Sequence, residues 1–375
     1  MNEIESIILA AIPDVAPSIS LMVLHHGDVI HHQAWGDATT TTLFDLASLT
    51  KLFTTTAFLT LSPDALHTPL VDFVPEFGRV NPRGMDGGQD PHSKEKLPTP
   101  TDFIGKTIDP SKVTLWHLLT HTSGLPPWRD IYNASPPPQI HDDPYSTEDR
   151  WQRALERLYD VNFVDEVGAG VRYSDIGLML LGEVVARLNQ TSLGEAIQQQ
   201  VLTPLNLTSM MFNPVKDHHV TLEVIAPTEI DATWRKRRVW GEVHDENACG
   251  VGGIAGHAGL FGTAGDVAQF GQTWLTRVKH PSIWQQAIQQ HAVTNDERRG
   301  LGWMLPSIQQ KSNAGDLMSR EAFGHTGFTG TSLWIDPTRE LVIALMTNRV
   351  YVGRERPGIF DLRRAIHDAI IRSIS

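Results

Sequence analysis

A hydroxyl and an amine stand one helical turn apart at Ser48 and Lys51, where an apolar segment begins. Residues three apart on a helix face the same way, so the Lys51 side chain can reach the Ser48 oxygen within a single element. That arrangement suits a serine that forms a covalent acyl intermediate, because its hydroxyl needs a neighbouring base. The S-x-x-K pattern recurs at Ser93 and Lys96, but there it lies in a stretch rich in Pro and Gly that disfavours a helix. Ser48 is therefore the predicted nucleophile.

Two later segments offer the other groups that such a serine requires. Tyr173 and Asp175 stand at the predicted start of a helix, where they present a phenol and a carboxylate. His325, Thr326 and Gly327 directly precede a predicted strand, in a Gly-rich run that lets the backbone approach a substrate closely. A free phenol and a free lysine amine both have pKa values of about 10 or above, so either is a base at neutral pH only if its surroundings lower that pKa. The residues alone leave open which of the two deprotonates the serine.

Size and charge limit the possible classes of protein. The chain has 375 residues, of which 41% are hydrophobic, and this length suits a layered enzyme with its own core. The net charge of −12 argues against a nucleic-acid surface, which wants clustered Lys and Arg. No run approaches the length of a membrane span, and the single cysteine, Cys249, excludes an internal disulfide. Acidic residues at the N-terminus, where a secretory leader carries basic ones, predict a cytoplasmic location.

Strand-like segments lie at both ends of the chain, with helices between them. A hairpin turning at residues 26–28 is predicted near the N-terminus, and two strands near the C-terminus, at residues 333–337 and 341–346. Because both ends are strand-rich, we predict that they share one sheet. Apolar residues at helical spacing predict the main helices at residues 48–61, 113–119, 147–158, 176–188, 192–201 and 362–374.

These elements predict an α/β (α+β) fold with two domains. Residues 1–75 and 250–375 form an antiparallel sheet flanked by helices, residues 76–249 form a mainly helical domain with long loops, and the active site lies in the cleft between them. Residues 79–110 show no hydrophobic period and are predicted to form a long surface insertion, which could act as a lid.

The three chemical segments resemble the S-x-x-K, Y-x-N and K-T-G motifs of the serine β-lactamase and penicillin-binding protein superfamily. They read Ser48-x-x-Lys51, Tyr173-Ser174-Asp175 and His325-Thr326-Gly327 in this chain. Other stretches are similar to the class C β-lactamase-like branch, which includes esterases and D-Ala-D-Ala peptidases, and these are residues 118–125, 241–248, 256–261 and 347–349. The resemblance runs from about residue 15 to residue 370.

The resemblance implies a β-lactamase/transpeptidase-like fold and a hydrolase that cleaves an ester or amide through an acyl-Ser48 intermediate. It implies that Lys51 keeps the serine proton mobile and that Tyr173 takes part in proton transfer to the leaving group. The backbone N–H groups of Ser48 and Phe328 would form the oxyanion hole. The resemblance implies no metal and no organic cofactor, and a small ester, amide or peptide as substrate. It leaves the oligomeric state open.

Two positions depart from the β-lactamase pattern. His325 replaces the lysine of the third motif, and because histidine is only about a quarter protonated at neutral pH, binding of a substrate carboxylate should weaken. Asp175 replaces asparagine and is expected to hold Lys51 charged, which favours Tyr173 as the base. Arg349, which follows a strand, is a candidate for binding a substrate carboxylate in place of the missing lysine.

Several functions remain open within this chemistry. His325 and the missing leader argue against defence from β-lactams, so a carboxylesterase-like activity is favoured. The alternatives are a D-Ala-D-Ala carboxypeptidase, a D-aminopeptidase-type amidase and a weak β-lactamase. Outside enzymes, a penicillin-binding sensor without turnover is possible, although the joint presence of Ser48, Lys51 and Tyr173 argues against it.

Two other kinds of site are incomplete in this sequence. The nearest approach to a G-x-S-x-G nucleophile elbow has Trp334 where the last glycine belongs. His117 and His121 have the spacing of a zinc motif but lack its glutamate, so we expect them to cap or pack.

Overall fold

A computed structural model of the chain describes residues 3–91, 93–139 and 143–374. The strands are β1 (Ser18–His25), β2 (Asp28–Gly36), β3 (Phe44–Asp45), β4 (Arg83–Gly84), β5 (Thr107–Ile108), β6 (Met211–Phe212), β7 (Ile230–Asp231), β8 (Arg237–Arg238), β9 (Leu260–Gly262), β10 (Ala292–Thr294), β11 (Glu297–Arg299), β12 (Met304–Leu305), β13 (Phe323–Thr326), β14 (Ser332–Asp336) and β15 (Leu341–Thr347). The helices are α1 (Glu3–Ala11), α2 (Thr50–Leu61), α3 (Leu70–Phe73), α4 (Leu115–Leu119), α5 (Thr147–Leu158), α6 (Asp175–Asn189), α7 (Leu193–Ile197), α8 (Glu246–Gly250), α9 (Ala264–Arg277), α10 (Ile283–Ala287) and α11 (Ile359–Ile374).

The main sheet joins the two ends of the chain. Its strand order is β10-β11-β12-β13-β14-β15-β1-β2, and neighbouring strands are antiparallel. Strand β1 pairs with β2 across the predicted hairpin and with β15 on its other edge, where Ile19 lies opposite Thr347. The predicted shared sheet is therefore confirmed, as is the fold of helices around an antiparallel sheet.

Both faces of this sheet are covered, which explains why its central strands are apolar almost throughout. On one face, Leu21 and Ile343 pack with residues of α1 and α11. On the other face lies α9, and Gly271 of that helix comes so close that an added Cβ would be 2.7 Å from Val342. Successive residues of a strand point to opposite faces, so β1 and β15 supply two cores at once.

Helix α2 lies in the centre of the molecule. Its residues from Thr50 to Leu59 are buried, as the mixed apolar composition on all sides predicted. The predicted middle helices are confirmed as α5, α6 and α7, although α7 ends at Ile197 and continues as a π-helical segment, Gln198–Leu202. The closing helix is also confirmed and begins three residues earlier than predicted, at Ile359.

The segment 79–110 is only partly a surface insertion. It is largely irregular apart from the β4–β5 pair and short 3₁₀ turns, as its composition predicted, but Arg83 and Gln89 are buried within it. Arg83 donates hydrogen bonds to the carbonyls of Phe77 and Val161, and these bonds tie the segment to the body of the protein. The domain boundaries at residues 75/76 and 249/250 stay a prediction. No helix in the described parts of the chain is long and apolar enough to cross a membrane.

Candidate active site

Ser48 lies in a 3₁₀ turn, Ala47–Leu49, that leads directly into α2. Ala47 adopts a left-handed backbone conformation with φ of 45°, which is uncommon for a residue with a side chain. Asp45 stabilises this turn, because its Oδ1 accepts the Ala47 N–H at 2.7 Å and its Oδ2 accepts the His244 N–H at 2.6 Å. Burial raises the pKa of Asp45 to about 6, against the effect of these two bonds. Sequence reasoning missed Asp45, although it lies only three residues before Ser48.

Lys51 reaches Ser48 as the helical spacing predicted. Its Nζ donates to Ser48 Oγ at 2.8 Å and to the His257 carbonyl at 3.1 Å, and it lies 2.7 Å from Asp175 Oδ1. Burial by itself lowers the pKa of Lys51, but the Asp175 carboxylate and Tyr173 outweigh it, so the pKa is raised. The nitrogen is therefore held as an ammonium ion.

Tyr173 completes the contact with the predicted nucleophile. Its hydroxyl donates to Ser48 Oγ at 2.9 Å, and the Lys51 Nζ lies 4.9 Å from the centre of its ring. Burial raises the pKa of Tyr173, and the charge of Lys51 only partly opposes that rise. The side chain is therefore a neutral phenol, which suits donation of a proton better than its removal from Ser48.

The loop 120–127 holds Tyr173 and Asp175 in place. His121 Nδ1 accepts the Ser174 N–H at 3.1 Å, and Ser174 Oγ donates to the Pro126 carbonyl at 2.7 Å while it caps α6. The ring centroids of His121 and Tyr173 are 4.6 Å apart. His117 instead caps α4 through Thr114, so the prediction that these two histidines cap or pack is confirmed.

His257 and Asp245 form a hydrogen-bonded pair beside Lys51. His257 Nε2 lies 2.8 Å from Asp245 Oδ1, while the His257 carbonyl accepts from Lys51. Burial disfavours the Asp245 carboxylate, but the interactions with His257 outweigh it and hold the pKa of Asp245 well below its usual range. Both residues lie in stretches of the family resemblance, Asp245 in residues 241–248 and His257 in residues 256–261.

One group of side chains has the composition of a metal site. Ligand atoms of Asp175, Asp245 and His257 lie within 4.8 Å of one another. The Lys51 ammonium already lies 2.7 Å from Asp175 and bonds to His257, so this acidic cluster surrounds a lysine cation.

The third motif lies between two strands: it ends β13, which the sequence did not predict, and it precedes β14, which corresponds to the predicted strand at residues 333–337. His325 and Thr326 belong to β13, and Gly327 begins the turn that leads into β14. His325 is 1% exposed, and its Nδ1 lies 2.9 Å from the Thr326 carbonyl, which assigns its proton to Nδ1. Burial, and then the charges of Lys51 and Arg299, hold the pKa of His325 well below its usual value. The imidazole is therefore neutral at neutral pH.

Two cavities meet at Ser48, Tyr173 and Phe328. We call the first, of about 210 Å³, the aromatic lobe, and its lining includes Pro91, Trp128, Glu246, Ala258, Phe328 and Arg354. We call the second, of about 350 Å³, the arginine lobe, and its lining includes Arg299, Met304, His325, Thr326, Arg349 and Arg363. Pro91 belongs to the segment 79–110, which therefore contributes to the wall of the aromatic lobe.

Basic side chains from distant elements line the arginine lobe. Arg299 is paired with Glu297, and its guanidinium lies 5.2 Å from the centre of the Tyr173 ring. The Arg299 Nη1 is buried and bonds to none of the described residues. Arg349, the predicted candidate, donates to the carbonyl of Phe328. Sequence reasoning missed Arg299 and Arg363, because only the sheet register and the packing of α11 bring them here.

The chain matches the family model described as Beta-lactamase over residues 9–368. A protein from Escherichia coli strain K12 named putative D-alanyl-D-alanine carboxypeptidase is 27% identical, over 92% of this chain and 82% of that protein. Among solved structures, EstCE1, described as a hydrolase with promiscuous acyltransferase activity, gives a TM-score of 0.69 at 20% identity and covers 98% of this chain and 97% of its own. A class C β-lactamase from Rhodobacter sphaeroides gives 0.66 at 18% identity and covers 100% of both chains.

The two structural matches share the same mixed arrangement of helices and antiparallel sheet. Because their sequence identities are only 20% and 18%, they support the fold and not a particular function. The family match spans nearly the whole sequence, including the segments that hold Ser48, Tyr173 and His325. The chain therefore belongs to the Beta-lactamase family, whose members are hydrolases of the β-lactamase fold.

Proposed function

We propose that this protein is a serine hydrolase that cleaves small acyl esters through a covalent acyl-Ser48 intermediate, as a carboxylesterase does. One observation carries the proposal: Ser48 Oγ accepts hydrogen bonds from both Lys51 Nζ at 2.8 Å and Tyr173 OH at 2.9 Å. A serine oxygen between an amine and a phenol, open to two cavities, has the partners that nucleophilic catalysis requires.

The reaction follows from these contacts in two stages. Once Lys51 or Tyr173 has lost a proton to solvent, Ser48 Oγ attacks the substrate carbonyl and passes its own proton to that group, while the N–H groups of Ser48 and Phe328 stabilise the negative carbonyl oxygen. The Tyr173 phenol gives a proton to the leaving oxygen as the ester bond breaks. Water then attacks the acyl-enzyme, the same groups take its proton, and Ser48 is released with a carboxylic acid.

The aromatic lobe supports an uncharged, partly apolar acyl group. Trp128 and Phe328 present rings to it, and the charges of Glu246 and Arg354 at its wall are already paired with one another at 3.1 Å. His325 is neutral, so the third motif adds no fixed charge that would require an anionic substrate.

The arginine lobe favours a second candidate, a peptidase whose substrate ends in a carboxylate. Arg299 Nη1 is a buried donor that no other described residue satisfies, and a carboxylate in the lobe could accept from it. Arginine would then supply the charge that His325 lacks. The Escherichia coli relative carries the name of a D-alanyl-D-alanine carboxypeptidase, which agrees with this candidate.

The nucleophile can be tested by intact mass after treatment with a fluorophosphonate and, separately, with a penicillin. We expect one adduct on Ser48, and we expect Ser48→Ala to lower nitrophenyl ester hydrolysis by at least about 10³-fold, as loss of a catalytic nucleophile does. The matched control is Ser93→Ala, which changes the serine of the second S-x-x-K pattern and should keep full activity. If neither reagent modifies Ser48, the proposed function is wrong.

The same assay separates the two candidates. Short-chain nitrophenyl esters, a D-Ala-D-Ala peptide and the C-terminal amide of that peptide are compared by kcat/KM. An esterase prefers the esters, whereas a carboxypeptidase cleaves the peptide and loses most of that rate when the terminal carboxylate becomes an amide.

A further inference from the structure

We propose that Arg363 of α11 is a positioning residue for the oxyanion hole: it fixes the peptide between Gly327 and Phe328 so that the Phe328 N–H faces the reacting carbonyl oxygen. This inference rests on the proposed function, because it assigns a role within the acyl transfer at Ser48. Neither the family motifs nor Ser48, Lys51 and Tyr173 include any residue of α11.

The contacts of Arg363 place its guanidinium behind the third motif. The side chain is 5% exposed, and its Nη2 donates to the Gly327 carbonyl at 2.9 Å and to the Thr331 carbonyl at 2.8 Å. These two residues close the turn after β13, because the Gly327 N–H donates to the Thr331 carbonyl at 2.8 Å. One guanidinium therefore holds both ends of the turn that carries Phe328.

The planarity of the peptide bond transmits this contact to Phe328. The cis peptides of the described chain precede Pro13 and Pro82, so the Gly327–Phe328 peptide is trans. In a trans peptide the C=O and the following N–H point in opposite directions. Since Arg363 holds the Gly327 carbonyl on the side of α11, the Phe328 N–H is directed to the other side of the same peptide plane.

The charge of Arg363 is not used for an ordinary ion pair. In the described residues no carboxylate lies within pairing distance of it, and its remaining acceptor is Asn313 Oδ1 at 3.5 Å. Burial lowers the pKa of Arg363 to about 9, and burying a cation without an anion costs stability. A positive group behind the oxyanion hole would stabilise the negative charge that develops on the carbonyl oxygen in the transition state.

The neighbouring residue provides a matched comparison. Arg364 is on the same helix and is 8% exposed, but its guanidinium pairs with Asp316 at 2.6 Å. Arg364 therefore anchors α11 to a surface loop, and within the described residues its guanidinium makes no hydrogen bond to the turn after β13. Arg363→Met and Arg364→Met remove the same group from adjacent positions with similar burial.

The test is steady-state hydrolysis of a neutral nitrophenyl ester, which places no carboxylate in the arginine lobe. We expect Arg363→Met to lower kcat by about 10- to 100-fold with KM nearly unchanged, less than the loss when an oxyanion donor is removed outright. The affinity for an alkyl boronic acid, which forms a tetrahedral anion on the serine, should fall in parallel. Methylguanidinium below denaturing concentration should restore part of kcat. Arg364→Met should retain both wild-type values.

Other outcomes overturn the inference and are distinguishable from failure of the proposed function. A kcat of Arg363→Met equal to that of Arg364→Met, or a loss confined to KM, would show that Arg363 only stabilises the fold. If Arg363→Met does not fold, Arg363→Gln is measured; its amide is uncharged and can replace at most one of the two carbonyl bonds, so kcat should still fall, and an unchanged kcat in that variant also rejects the role. Absence of a Ser48 adduct in the wild-type protein rejects the hydrolase itself.

Discussion

At the scale of single residues, the protonation of Lys51 controls the chemistry. Ser48 Oγ accepts hydrogen bonds from a charged amine and a neutral phenol, so the nucleophile has two donors and no base beside it in this state. Acylation then requires that one of the two groups lose its proton. We therefore expect the rate of Ser48 acylation to rise with pH.

The Asp175→Asn variant tests this interpretation of Lys51. The Asp175 carboxylate raises the pKa of Lys51 from 2.7 Å away, so its removal lowers that pKa and makes the neutral amine available at lower pH. We expect the midpoint of the pH dependence of Ser48 phosphonylation to move down by about one unit or more. Asp165→Asn, which breaks the more exposed ion pair with Arg172, should leave the midpoint in place. A midpoint that stays or moves upward contradicts this account.

The residues of the site differ in how readily a local sequence pattern predicts them. Ser48 and Lys51 are predictable because one helix fixes their geometry, and Tyr173 and Asp175 because they stand at a helix start. Asp45, although adjacent, bonds to the His244 N–H nearly two hundred residues away. No local pattern signals such a partner.

At the scale of elements, close backbone packing holds the loop that carries His257. A Cβ on Gly256 would lie 2.1 Å from the Leu178 carbonyl and 2.9 Å from the Cα of Gly182, both on α6. The loop therefore touches the same helix that begins with Asp175. Because the His257 carbonyl accepts from Lys51, this contact helps to set the position of the lysine.

The Gly256→Ala variant should separate this loop from α6. We expect a loss of about 1–3 kcal/mol in the free energy of unfolding, typical of overpacking, and reduced ester hydrolysis at temperatures where the variant is still folded. Urea unfolding and the ester assay measure the two effects. Gly265→Ala is the control, because a Cβ there would meet nothing closer than 3.6 Å. Wild-type stability in Gly256→Ala would disprove the contact.

Elements were predicted where they depend on local pattern and missed where they depend on packing. The hairpin, α2 and α6 follow from turn residues and apolar spacing. The third motif precedes a strand as predicted, but no local pattern showed that pairing with β14 also places His325 and Thr326 in a strand of their own, β13. The segment 79–110 looked exposed because it lacks periodicity, but Arg83 is buried there and donates from Nη1 and Nη2 to backbone carbonyls.

At the scale of the whole molecule, buried histidines make stability depend on pH. His367 on α11 is fully buried, and its Nδ1 lies 3.2 Å from the Ala314 carbonyl. Burial lowers the pKa of His367 from 6.5 to about 4, and the charge of Arg363 adds to that effect. The unfolded chain therefore binds a proton between pH 6.5 and 4 that the folded chain does not. This linkage lowers stability as the pH falls through that range.

The His367→Gln variant tests this linkage. Between pH 6.5 and pH 4, the free energy of unfolding of the wild-type protein should fall by up to about 3 kcal/mol because of His367. The variant should lack this part of the decrease. Urea unfolding at several pH values measures the slope, with exposed His218→Gln as the control. Asp45 changes stability in the opposite direction: its pKa is raised to about 6, so its contribution to the free energy of unfolding grows as the pH falls. The contribution of His367 is therefore obtained by comparing the slopes of the variant and the wild type, not from the wild-type curve alone. Equal slopes in His367→Gln and the wild type would disprove the contribution.

The position of β1 between β2 and β15 also affects how the protein is made. During synthesis, one edge of β1 lacks its partner until residues 341–347 have left the ribosome, and such late, long-range pairing slows folding. The strand that carries His325 and the helix that carries Arg363 also come late in the chain. A nascent chain that has not yet reached β13 therefore contains Ser48, Lys51 and Tyr173 but not the complete site. The proposed hydrolysis would begin only after α11 has also been synthesised and has packed against the turn after β13.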